Sequence, residues 1–339
     1  MNSQEPNYSR FALVKEMMET PGVVSGFNTA SVDPFAEAVK RSKSLFLTGE
    51  GSSRIFPAKN SLRKANQWGC SHHLFTEGSR QGAEYNLGSA SVFLASNSGR
   101  TKEVVALAQK LKGENNPHRY CLTANTGTVL ETLCTKTFIL NCGKEQAVAA
   151  TKSVVEQALF YETLIRKLSG KKEPFSLREL SEKMEAALTM KIEPSIVSAA
   201  AEAPTIYFAG YNDGVAEELT LKTNEITRKK SDYLEGSYAV HGIEEVMDSR
   251  DIVFVIDPIP EEESKFKEVL IDGVGLKVIA ISSRETLFPT LKIPEGGDFS
   301  QYIQICAGWN LLVEIGMNLG INLDKPERAR KVGNEVISG

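Results

Sequence analysis

Short apolar runs recur along the chain, each ending in a glycine or a polar cluster, and they alternate with longer amphipathic segments. SLFLTG (44–49), SVFLAS (91–96), RYCLTA (119–124) and TFILNC (137–142) read as strands. Their apolar residues are continuous rather than alternating, which predicts a parallel sheet covered on both faces. Between them, residues 52–67, 101–112 and 148–168 carry helical periodicity, with Pro57 either distorting the first helix or marking its first turn. Residues 169–176 (SGKKEPFS) break the pattern, and 177–202 are mainly helical. The rhythm then restarts: TIYFAG (205–210), a helix at 214–228, DIVFVID (251–257), a helix near 262–274, KVIAIS (277–282) and a last helix at 302–319.

The expected fold class is α/β, with two doubly wound, flavodoxin-like parallel-sheet domains in tandem. The expected boundaries are an N-terminal helical segment at 1–30, a first domain at 31–169, a helical linker at 170–203, a second domain at 204–319 and a polar tail at 320–339 that contributes to the site. LFLTGEGSS and IYFAGYNDG are alike, each a strand, a glycine and a helix start. Their separation of about 160 residues points to a diverged duplication and is far too long for a solenoid repeat.

Composition narrows the function. The 339 residues are 41% hydrophobic and 24% charged with a net charge of -4, so no global basic field advertises nucleic acid. The basic cluster Arg228-Lys229-Lys230 reads as a solvated face. Five cysteines, an odd number without C-x-x-C spacing, fit free thiols in a reducing compartment. No apolar leader segment and no run long enough to span a bilayer occur, so a cytoplasmic chain without membrane contact is expected. The four histidines lack zinc-like spacing, and neither metal nor cofactor is expected.

The chemistry concentrates at strand exits. In VFLASNSGRTKEVV (92–105) a strand ends in Ser96, Asn97, Ser98, Gly99, Arg100 and Thr101 before a helix begins. Such a loop lies at the carboxyl edge of the sheet, where open α/β folds bind ligands. The helix N-terminus favours an anion, and three hydroxyls with an amide suit a phosphate monoester. Ser98 or Thr101 acting only as a helix cap is the alternative, though capping needs one such residue. TGEGSSRIFPAK (48–59) repeats the arrangement with Ser52 and Ser53, and NCGKEQAVAATKS (141–153) with Gly143 and Thr151.

The order G-E-G-S-S, then S-N-S-G-R-T, then A-A-T-K opening a long helix, resembles the SIS (sugar isomerase) domain. Two such domains in tandem are similar to the isomerase half of glucosamine-6-phosphate synthase and its stand-alone relatives, which include isomerases, deaminases and deglycases. The likeness spans about residues 10–335, and LVKEMMETP (13–21) resembles the start of that isomerase half. The resemblance assigns Ser52, Ser53, Ser96, Asn97, Ser98 and Thr101 to phosphate and sugar binding, with Val148 contacting the sugar through its backbone. The family's L-K-L-K-E-I becomes Leu221-Lys222-Thr223-Asn224-Glu225-Ile226, so Lys222 joins the binding set and Glu225 takes the place of the catalytic glutamate. His241-Gly242 match the family's histidine, without its following proline, and Lys331 lies five residues after Pro326 as the family's tail lysine does. Arg100 and Glu50 are charge changes beside the expected site.

What this implies is proton transfer between C1 and C2 of an open-chain sugar by Glu225, ring opening by His241 and a Schiff base on Lys331. The histidine would be donated across the interface of a homodimer. Taken alone, Glu225 and Lys222 also fit a surface ion pair, His241 a turn or interior histidine and Lys331 a solvated tail residue. The implied partner is a phosphorylated sugar or amino sugar, converted by an isomerase or deaminase. A deglycase of a fructosamine 6-phosphate, with Arg100 reading a carboxylate, and a non-catalytic sugar-phosphate sensor are the alternatives. Asn2 stands where a glutaminase would carry its cysteine, so a glutamine-dependent synthase is not expected.

Overall fold

The apolar runs pair side by side into two five-stranded sheets in which every pairing is parallel. The first holds β1 (Ser44–Gly49), β2 (His73–Gly78), β3 (Ser91–Ala95), β4 (Arg119–Thr123) and β5 (Lys136–Ile139), in the order β2-β1-β3-β4-β5. The second holds β6 (Thr205–Gly210), β7 (Lys230–Glu235), β8 (Ile252–Ile256), β9 (Lys277–Ser282) and β10 (Thr290–Lys292), in the order β10-β9-β8-β6-β7. Read from its other edge this is the same order, so the duplication expected from sequence extends to strand topology.

The computed structural model describes residues 1–2, 4–330 and 334–336. Of these, 26–144, 150–173 and 334–336 group around the first sheet, and 1–25, 145–149 and 174–330 around the second. In the first-sheet unit the central strands β3 and β4 are buried along their whole length, as sheets covered on both faces require. Phe46, Val92, Leu94 and Cys121 pack against Val104, Leu107 and Leu111 of helix α2 (Lys102–Gly113). In the second-sheet unit Val253, Val255, Val278 and Ala280 pack with Phe266 and Leu270.

The central elements match the hydrophobic pattern to within a few residues, and the differences have local causes. The helix expected from residue 52 is α1 (Ile55–Gln67), preceded by a tight turn at Gly51–Ser53, and Pro57 falls in its first turn. The expected long helix is α3 (Lys152–Ser169). Residues 177–202 form two helices, Leu177–Thr189 and Pro194–Glu202, broken before Pro194. Residues 263–274 begin as an α-helical turn and continue π-helical. The basic cluster is solvated only in part: Lys230 is exposed, but Arg228 donates to the carbonyls of Asn322 and Lys325, and Lys229 to that of Ala201. All five cysteines are free thiols.

Candidate active site

The parallel register brings the first-sheet exits level. Gly49 ends β1 beside Gly78 of β2, and a Cβ there would lie 2.9 Å from the carbonyl oxygen of Ala95 at the end of β3. Only a glycine lets these backbones approach so closely. The β1 exit places Ser52 and Ser53 in the turn before α1, both half-buried.

The β3 exit is a tightly held loop. Ser96 is buried, and its hydroxyl lies 2.7 Å from that of Thr101. The carbonyl of Asn97 accepts from Ala124 N–H at 3.0 Å and from the Asn125 side chain at 2.9 Å, which ties the loop to the β4 exit. The Ser98 hydroxyl accepts the Arg100 N–H at 3.2 Å. Gly99 turns the chain with φ +65, and an added Cβ would come within 2.5 Å of Thr128. Thr101 is the residue preceding α2, yet its side chain makes no cap bond to the helix backbone. The capping reading therefore fails for Thr101, whose hydroxyl turns to Ser96 instead. Hydroxyls, an amide and a helix start thus meet on one sheet edge, a donor set that suits a phosphate.

Two features of this unit bear on the tail and on Glu50, for which the sequence names a place beside the site but no partners. Residues 334–336 run antiparallel to the loop: Lys102 N–H donates to the Asn334 carbonyl at 3.1 Å, and Val336 N–H to the Arg100 carbonyl at 2.9 Å. The Lys102 amide is one of the donors a helix start leaves unpaired. Glu50, half-buried, accepts the Ser79 N–H at 2.8 Å, and burial pushes its carboxyl up from the ordinary range, helped by the charge of Glu103. The side chain of Arg100 is exposed.

The second-sheet unit carries Lys222 and the expected catalytic Glu225 on helix α4 (Val215–Thr227). Lys222 is fully buried. Its ammonium lies 2.8 Å from Glu225 and 3.3 Å from Glu218, a second buried carboxylate. Burial alone would lower the lysine's pKa, but the two carboxylates outweigh it and hold the amine charged. The surface ion-pair reading fails, because only Glu225 of the three reaches solvent, with 24% of its side chain exposed. Glu218 was legible in principle, since 218, 222 and 225 share one helix face.

His241 sits exposed in a turn after Tyr238–Val240, with Nε2 3.2 Å from the Ser237 hydroxyl. Val148 is half-buried between the buried residues Ala147 and Ala149. Lys331 lies outside the described residues.

Residues 39–167 match the SIS domain family. That segment is an SIS domain. No curated protein matches the chain. Among solved structures, the C-terminal domain of glucosamine-fructose-6-phosphate aminotransferase from Francisella tularensis is 19% identical with a TM-score of 0.77, covering 95% of this chain and 100% of that one. Tagatose-6-phosphate ketose/aldose isomerase from Escherichia coli is 16% identical with a TM-score of 0.79, covering 96% and 99%. Glucosamine-6-phosphate deaminase from Thermotoga maritima is 18% identical with a TM-score of 0.72, covering 94% and 98%. At these identities the likeness is one of fold, and the chain has the fold of tandem SIS domains. No helix among the described residues is long and apolar enough to cross a membrane.

Proposed function

We propose that the chain is a phosphosugar isomerase or deaminase acting on an amino-sugar 6-phosphate. Ser52, Ser53, Ser96, Asn97, Ser98 and Thr101 would hold the phosphate and sugar, with Val148 on the sugar, and Lys222, expected in the binding set but fully buried, would act through Glu225. Glu225 would take the proton from C2 of the open-chain hexosamine and return it at C1. The resulting imine at C2 would then lose ammonia to water and leave a ketose 6-phosphate. His241 would open the ring, donated to the site by a second copy of the chain in a homodimer, and Lys331 would bind the open-chain carbonyl. A cytoplasmic location belongs to the same proposal.

One observation carries the catalytic part. A charged lysine buried between two carboxylates is costly to desolvate, and here it fixes the single carboxylate of the set that meets solvent. A sensor that only holds phosphate needs no such arrangement.

The test is release of the amine, ammonia from glucosamine 6-phosphate and the free amino acid from a fructose-amino acid 6-phosphate, assayed side by side, together with Glu225→Gln. Glucosamine 6-phosphate should be the better substrate, and Glu225→Gln should abolish turnover while inorganic phosphate still binds. Preference for the fructosamine would make the protein a deglycase. Tight phosphosugar binding without turnover would make it a sensor, and an active Glu225→Gln protein would remove Glu225 from the mechanism.

A further inference from the structure

Val148 owes its proposed role to the backbone, so what fixes that backbone matters as much as the residue. The segment 141–149 forms no helix or strand, and Gly143 turns it with φ +72. Loops of this kind carry unpaired backbone donors, and a buried donor without a partner is costly. The partner here is a carboxylate. Glu16 lies on the helix Ala12–Ser25 and is only 4% exposed. Its Oε1 accepts the N–H groups of both Gln146 and Ala147, the latter at 3.4 Å. These are the two amides immediately before Val148.

The local burial pattern shows what the clamp does. Ala147 is fully buried and Ala149 nearly so, while Gln146 is exposed and Val148 half-buried. Small residues at 147 and 149 seat the strip, and the carboxylate sets its register by holding consecutive amides. A carboxylate buried in a protein is expensive unless hydrogen-bonded, so an acid at this place signals a demand for an acceptor rather than for packing. Upstream, the same solution appears independently: Glu156 accepts the N–H groups of Asn141 and Cys142 at 2.9 and 2.7 Å.

We infer that Glu16 is a positioning residue for sugar recognition: it aims the backbone at Val148 by clamping the amides of Gln146 and Ala147. Glu16 touches no substrate itself. The inference rests on the proposed sugar contact of Val148 and adds the group that sets it. It also gives the first of the two glutamates in LVKEMMETP, which the motif alone leaves without a task, a specific one.

The test compares wild type, Glu16→Met (similar length, no acceptor) and Glu16→Gln (one acceptor kept), using backbone amide exchange and the binding of fructose 6-phosphate and inorganic phosphate. The amides of 146 and 147 should exchange slowly in wild type and at least about tenfold faster in Glu16→Met. Fructose 6-phosphate affinity should fall about tenfold in Glu16→Met with phosphate affinity unchanged, and Glu16→Gln should recover part of both. Should Glu16→Met fail to fold, the same comparison with Glu16→Gln alone still decides, at smaller amplitude. Unchanged exchange overturns the clamp. Faster exchange with both affinities falling together, or with neither falling, overturns the positioning role and leaves a purely structural one. A wild-type protein that binds fructose 6-phosphate no better than phosphate overturns the phosphosugar reading and the sugar role with it, while amide exchange still reports on the clamp.

Discussion

At the residue scale, the loop at 96–101 is set by sterics before it is set by chemistry. Gly99 combines a positive φ with a neighbour only 2.5 Å from where a Cβ would stand. The left-handed backbone alone costs an L-residue roughly 1–2 kcal/mol, so Gly99→Ala should lose about 2–4 kcal/mol of stability once the clash with Thr128 is added. Urea unfolding measures this. Glu50 offers a second residue-scale prediction. Burial raises its carboxyl's pKa above the unfolded value. Its contribution to stability is therefore whole below the unfolded pKa and is lost as pH rises through the folded pKa. Glu50→Gln should gain stability relative to wild type between about pH 4 and pH 7. Unfolding curves at the two pH values check the direction, and a constant difference would count against it. Residue types and spacing made the hydroxyl loop and the Lys222–Glu225 pair legible in the sequence. The Glu16 clamp was not, because its partners are backbone amides about 130 positions away, and backbone donors leave no signature in a sequence.

At the element scale, the hydrophobic pattern marks the strands buried on two faces and, β5 apart, misses the edge strands. β1, β3, β4, β6, β8 and β9 are continuous apolar runs. β2 and β7, HLFTEG and KSDYLE, lie on sheet edges and are half-exposed, so neither a continuous nor a clean alternating pattern survives in them. The short pairing of residues 334–336 with the loop before α2 is held by backbone bonds and is likewise silent in the sequence. It has a testable consequence. Val336→Pro deletes the donor to the Arg100 carbonyl, which should cost about 0.5–1.5 kcal/mol locally. The Lys102 amide, whose acceptor is Asn334, should then exchange several-fold faster while the amides of β4 stay protected. Unchanged exchange at Lys102 would show that the tail does not shield the helix start.

At the scale of the whole molecule, duplication has left two sheets of one topology with different edge chemistry. The exits of β1 and β3 carry hydroxyls and an amide. The corresponding exits of β6 and β8 carry GYNDG and DPIP, with Asp257 in place of a hydroxyl cluster. Glu50 puts a carboxylate at the β1 exit as well, so it is the cluster of Ser52, Ser53, Ser96, Ser98 and Thr101 that sets the first sheet apart, and the proposed phosphate site belongs there. The second-sheet unit instead carries Glu225 and His241, and these two are far from equivalent: Glu225 is fixed by a buried lysine, whereas His241 is exposed in a turn. An exposed histidine acts as an acid or base for a sugar only where a second surface encloses it, as the proposed homodimer would supply. If Glu225 and His241 of one site come from different protomers, Glu225→Gln and His241→Ala are each inactive, but dissociating and reassociating them together restores activity. An equal mixture gives half heterodimers, each with one site free of both substitutions, so about a quarter of wild-type activity should return. Activity that stays at zero, in a mixture shown by mass to contain heterodimers, would place His241 in the same protomer's site as Glu225, and a His241→Ala protein active on its own would place it outside the chemistry.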